Sequence, residues 1–184
     1  MTHEVRAQLH RVYDLMKVEG RHGYEQVAFG ESAFTELLTF LAMVPETAEV
    51  TEIIFRLSDG IPALKIAELY NVLVWSAEER GGIDLEIIQE WFYGKQPRRI
   101  EIALQVDIFP SNSMQESQRI LEEIEKKFPR LKYLCRLARR EVDQRLAEEE
   151  AWSKYRRDTF EMPKEMTPSI MARIKEIKGK GGKA

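Results

Sequence analysis

The chain has 184 residues, 43% apolar and 32% charged, with a formal net charge of −3. That is enough for one domain burying roughly 70% of its unfolded surface, with the composition of a globular chain rich in amphipathic helix. The balance argues against a general nucleic-acid-binding domain, which would be basic. It also excludes an intrachain disulfide or a cysteine zinc cluster, since Cys135 is the one cysteine.

The charge is unevenly spread. From Pro163 onward six Lys/Arg face two acidic residues, which is +4, leaving 22 basic and 29 acidic residues in the body, or −7. The opening MTHEVRAQLH lacks a basic region followed by an apolar stretch, so it does not read as a secretory signal. No apolar run approaches the ~20 residues that span a bilayer. With its single cysteine, the chain is expected to be cytoplasmic, with no membrane partner.

Prolines and glycines fall between the periodic segments, as helix starts and stops require. Residues 2–19 carry Val5, Leu9, Val12 and Met16 at helical spacing, with Gly20 as the stop. A loop over residues 20–30 holds three glycines with Arg21, His22, Tyr24 and Glu25. Such loops often carry binding groups on a rigid scaffold, so Arg21, His22 and Tyr24 are a candidate loop site, although no phosphate-loop or dinucleotide motif is present. A second helix over residues 32–44 uses Phe34, Leu37, Leu38 and Leu41. Thr47 is read as the cap of a third, with Val50, Ile53, Ile54 and Leu57 on one face, ending at Asp59-Gly60.

Pro62 opens a fourth helix, apolar almost all round from Leu64 to Ala77, which reads as the central buried one. Asp84 caps a fifth with Leu85, Ile87, Ile88, Trp91 and Phe92, closed by Gly94. In the sixth segment Ile100, Ile102, Leu104, Val106 and Ile108 alternate like a strand, while Arg98, Glu101 and Gln105 form a helical polar stripe. Helix is the reading taken; the alternative is an α+β fold with a small sheet including residues 99–109. Residues 113–127 form a seventh helix with Met114, Ile120, Leu121 and Ile124. From Pro129 an eighth runs to residue 161 with Leu131, Leu134, Cys135, Ala138, Val142 and Leu146 on its first half. A short helix over residues 168–177 precedes the GKGGKA tail.

The expected architecture is therefore all-α: a compact multi-helix bundle, or HEAT-like stacked antiparallel helix pairs, with a long charged C-terminal helix. Residues 1–146 are expected to form one helical domain, 147–178 a helical extension and 179–184 a flexible basic tail.

No nucleophile arrangement is present, and Cys135 lies on an apolar helix stripe, where a thiol is a buried hydrophobe with a raised pKa. No catalytic residue, cofactor or metal is assigned. His3, His10 and Asp14 share a helix face, and with His22 and Glu25 they are the alternative reading of a small metal-dependent enzyme. Arg136, Arg139 and Arg140 cluster on the eighth helix as a candidate anion-binding face; with Lys175, Lys178, Lys180 and Lys183 they carry the alternative of a nucleic-acid-associated regulator. An intrahelical salt-bridge ladder is the competing account of these arginines. Trp152, Tyr155, Arg156 and Phe160 stand in a strongly charged stretch and must be covered, either by Met166, Ile170 and Ile174 of the last helix or by a partner. The function expected is a non-catalytic protein–protein interaction module of adaptor, regulator or inhibitor/immunity type, binding a protein or another copy of itself through this segment.

Overall fold

A computed structural model describes residues 3–20, 25–45, 49–75 and 83–160, and these are mostly helical, as the apolar periodicity predicts. The chain divides into two units, Met1–Val142 and Asp143–Ala184. The first unit opens with α1 (His3–Leu15), whose predicted stripe of Val5, Leu9, Val12 and Met16 is buried throughout. α1 stops earlier than the sequence reading had it. Lys17–Glu19 (β1) pairs antiparallel with Gln26–Ala28 (β2), with Val18 opposite Val27. Both strands are largely exposed, so no burial alternation marks them, and Gly20 turns out of β1 at φ 112°, a conformation side chains resist.

α2 (Glu31–Met43) packs on α1. It buries Ala33, Leu37 and Phe40, while Phe34 and Leu38, placed on its inner face by the sequence reading, are exposed. Gln8 crosses this contact, donating from Nε2 to the Glu36 carbonyl at 3.0 Å. α3 (Val50–Leu57) is capped by Glu49, whose carboxylate accepts from the Thr51 and Glu52 amides. Thr47, the predicted cap, lies outside the described residues, as does the helix predicted over residues 168–177. Gly60, at φ 81°, makes the turn into α4 (Ala63–Trp75).

α4 is the central helix the sequence suggests, with Ala63, Ile66, Ala67, Leu69, Tyr70 and Leu73 buried. Its buried hydroxyl is satisfied: Tyr70 donates to the Thr51 carbonyl at 2.8 Å. The Ser58 hydroxyl donates to the Ile54 carbonyl at 2.7 Å, so at 2.6 Å Tyr13 must be the donor to Ser58. Lys65 Nζ reaches the Tyr13 carbonyl at 2.6 Å, placing a cation on the C-terminal turn of α1. Burial drives the phenols of Tyr13 and Tyr70 well above their ordinary range.

α5 (Leu85–Tyr93) starts at the predicted cap, Asp84, which accepts from the Glu86 amide at 2.9 Å. The ambiguous sixth segment is helical over Pro97–Ala103 (α6) and then turns through Leu104–Val106; no strand forms at residues 99–109. The alternation of Ile100 and Ile102 has a helical cause. α6 packs on α4 and on α5, so apolar side chains are needed on more than one of its sides. α7 (Met114–Lys127), capped by Ser113, follows the sequence reading. A 3-10 turn over Pro129–Leu131 leads into α8 (Lys132–Phe160).

Candidate functional site

α8 carries the candidate partner-binding and anion-binding residues. In the first unit it is anchored by Cys135 and Val142, both fully buried, with Leu131 just before it. Burial and the nearby Glu125 carboxylate push the Cys135 thiol up to about 11, so it stays protonated and is a poor nucleophile at neutral pH.

The three arginines part company here. Arg139 leaves the helix face and pairs with Glu125 of α7 at 2.9 Å, where Lys132 joins at 3.2 Å. Hydrogen bonds from Lys132 and Arg139 hold the Glu125 carboxyl below its usual range. Arg136 and Arg140 are exposed and pair with no described residue. The expected intrahelical ladder is found further on, at Arg145, which pairs with Glu148 at 3.5 Å and Glu149 at 3.9 Å.

In the second unit, Trp152 and Tyr155 keep 62% and 54% of their surface exposed. One helical turn apart, they meet edge to face, ring centroids 5.7 Å apart and planes at 90°. The side chains of Arg156 and Phe160 lie outside what the structure describes, as do Arg21, His22 and Tyr24 of the loop and the tail lysines Lys175, Lys178, Lys180 and Lys183.

Of the N-terminal histidines, His3 and His10 are among the described residues. His10 Nε2 sits 3.2 Å from the Leu57 carbonyl, which only accepts, so that nitrogen carries a proton and ties α1 to α3. His3 and Asp14 are exposed, and among the described residues no three His, Cys, Asp or Glu side chains are grouped to hold a metal ion. Among the same residues no helix is long and apolar enough to cross a membrane.

Two features escaped the sequence reading. Arg99 on α6 makes a bidentate pair with Glu52 on α3, its Nη2 2.8 Å from Oε2, and its guanidinium lies 4.3 Å from the Phe55 ring centroid and 5.1 Å from that of Trp91. The second is an open groove of about 1040 Å³ between α8, the turn after α6 and the start of α4. No family model, curated protein or solved structure matches the chain. Function must therefore be read from these surfaces. The Arg99 clamp joins α6 to α3 within the fold, while the aromatic pair and the groove are two described surfaces open to a partner.

Proposed function

We propose that the chain is a non-catalytic protein–protein interaction module, an adaptor, regulator or inhibitor/immunity-type protein, acting through the charged second half of α8. The observation that carries this is the exposed Trp152–Tyr155 pair. Two large aromatic rings side by side on a polar helix are the side chains that most often anchor interfaces, because each buries much apolar area with few rotatable bonds. The Arg145, Glu148 and Glu149 charges one to two turns before them supply the polar rim that such an anchor requires. The partner is a protein or a second copy of this chain, met in the cytoplasm, where a single unpaired and buried cysteine is stable.

Trp152→Ala combined with Tyr155→Ala tests this. The intact chain should retain a partner in a pull-down, or self-associate in sedimentation. The double variant should lose it by about 2 kcal/mol or more, roughly thirtyfold. Its melting temperature should stay within about 4 °C of the parent, as befits exposed positions. Undiminished binding by the double variant, or its gross unfolding, would remove the interface.

A further inference from the structure

The groove lies wholly in the first unit and includes neither Trp152 nor Tyr155. Its floor is apolar: Leu104 and Val106 are buried at its base, and Leu134 and Leu137 of α8 are half-buried along its wall. Its charged lining is one-sided. Glu25, Glu101, Asp107 and Glu141 contribute four carboxylates against the single guanidinium of Arg98. Arg98 is also engaged, donating to the Ile61 carbonyl and lying 3.9 Å from Glu101, so it offsets the acidic rim only in part. Glu141 on α8 and Asp107 on the turn after α6 both reach solvent at the rim: partial desolvation of Glu141 raises its carboxyl above its ordinary range, and the charge of Asp107 adds to the rise.

An apolar strip with an acidic rim selects its occupant by charge. An acidic segment would add like charges to a partly desolvated rim, and a purely apolar one would leave the carboxylates facing low dielectric. We propose that this groove docks a basic amphipathic helix of a partner protein, with apolar side chains at i, i+3, i+4 and i+7 on the Leu104, Val106, Leu134 and Leu137 strip and Lys/Arg beside Glu101, Asp107 and Glu141. Rim charges of this kind set the association rate and its salt dependence, while the apolar strip sets residence time.

The test uses the full chain and a fluorescent synthetic helix of leucine and lysine with that spacing, alongside its leucine–glutamate counterpart, read by anisotropy. The lysine helix should bind, with affinity falling as salt rises, and the glutamate helix should not. Asp107→Lys with Glu141→Lys should weaken binding about tenfold or more. Glu86→Lys with Glu90→Lys makes the same change of charge on the exposed side of α5, outside the groove, and should weaken it less than about twofold. Should the groove reversal disturb the helical circular dichroism, the neutral pair Asp107→Asn and Glu141→Gln replaces it, with a smaller loss in the same direction. Absence of binding by the lysine helix, or equal weakening by the groove and α5 pairs, overturns the proposal.

Discussion

Replacing Arg99 with alanine removes a bidentate bond to Glu52 together with guanidinium contacts to two rings, Phe55 and Trp91. Both partners of the pair are about three-quarters buried, with side chains 23% and 25% exposed, so the pair is neither a solvent-screened surface bridge nor a dry one. Hydrogen bonds to charged groups contribute about 1.5–3 kcal/mol, and stacking on the rings adds about 0.5–1 kcal/mol. Against these stands the entropy of fixing a long side chain, about 1.5–2 kcal/mol. Glu52, left partly buried without its guanidinium, adds an unpaired-carboxylate penalty of about 1 kcal/mol or more to the cost. The expected cost of Arg99→Ala is about 2–3 kcal/mol, and Arg99→Lys recovers less than half of it because an ammonium cannot fork or stack. Urea unfolding of Arg99→Ala, Glu52→Ala and the double variant should give a coupling energy of about 1–2 kcal/mol. A coupling under about 0.3 kcal/mol would reduce the clamp to an ordinary surface ion pair and refute the reasoning.

Other outcomes follow from the buried groups and the turns. Iodoacetamide at pH 8 should modify Cys135 about a hundredfold more slowly in the native chain than in urea, since burial lifts its pKa from 9.0 to about 11; equal rates would mean an accessible thiolate. That rise means the unfolded chain gives up the Cys135 proton first. The stabilising difference is whole below pH 9 and lost as pH rises from 9 toward 11, and the raised phenols of Tyr13 and Tyr70 act in the same direction above pH 10. The urea midpoint should therefore fall between pH 8 and pH 10.5, and a constant midpoint would count against it. Gly60→Ala, forcing a Cβ into a φ of 81°, should cost about 1–2 kcal/mol even though nothing lies within 4 Å of that Cβ; a stabilised variant in a thermal melt would show that the turn relaxes.

Much of the helical plan was legible because caps and stops are local. Asp84 and Ser113 begin their helices through their own side chains, and the stripe Val5, Leu9, Val12 and Met16 buries as its spacing says. What was illegible depended on neighbours. Alternation in α6 imitates a strand because two helices cover it from different sides, which no window on residues 97–108 reveals. The β1–β2 hairpin is exposed on both faces, so it carries no period-2 burial signal, and only Gly20 hinted that the chain turns there. Arg139 looked like one of three phosphate-facing cations, yet its partner Glu125 lies fourteen residues earlier on another helix. The groove is assembled from residues between 25 and 141 and has no sequence motif at all.

The two candidate surfaces differ in what holds a ligand to them, and that difference separates them without knowing the partner. Binding at Trp152 and Tyr155 gains chiefly from desolvating two rings, a contribution that added salt does not screen and that excluded salts strengthen. Binding in the acidic groove gains from the Glu101, Asp107 and Glu141 carboxylates meeting cations at a partly open rim, where the Debye length falls from about 10 Å at 0.1 M salt to about 3 Å at 1 M. A partner captured through the α8 aromatics should thus keep or improve its affinity between 0.1 and 1 M sodium chloride, and one held in the groove should lose most of it. A salt titration of one bound partner assigns it to one surface. The Trp152→Ala/Tyr155→Ala and Asp107→Lys/Glu141→Lys variants then confirm or reject that assignment independently, because each alters one surface and leaves every residue of the other unchanged.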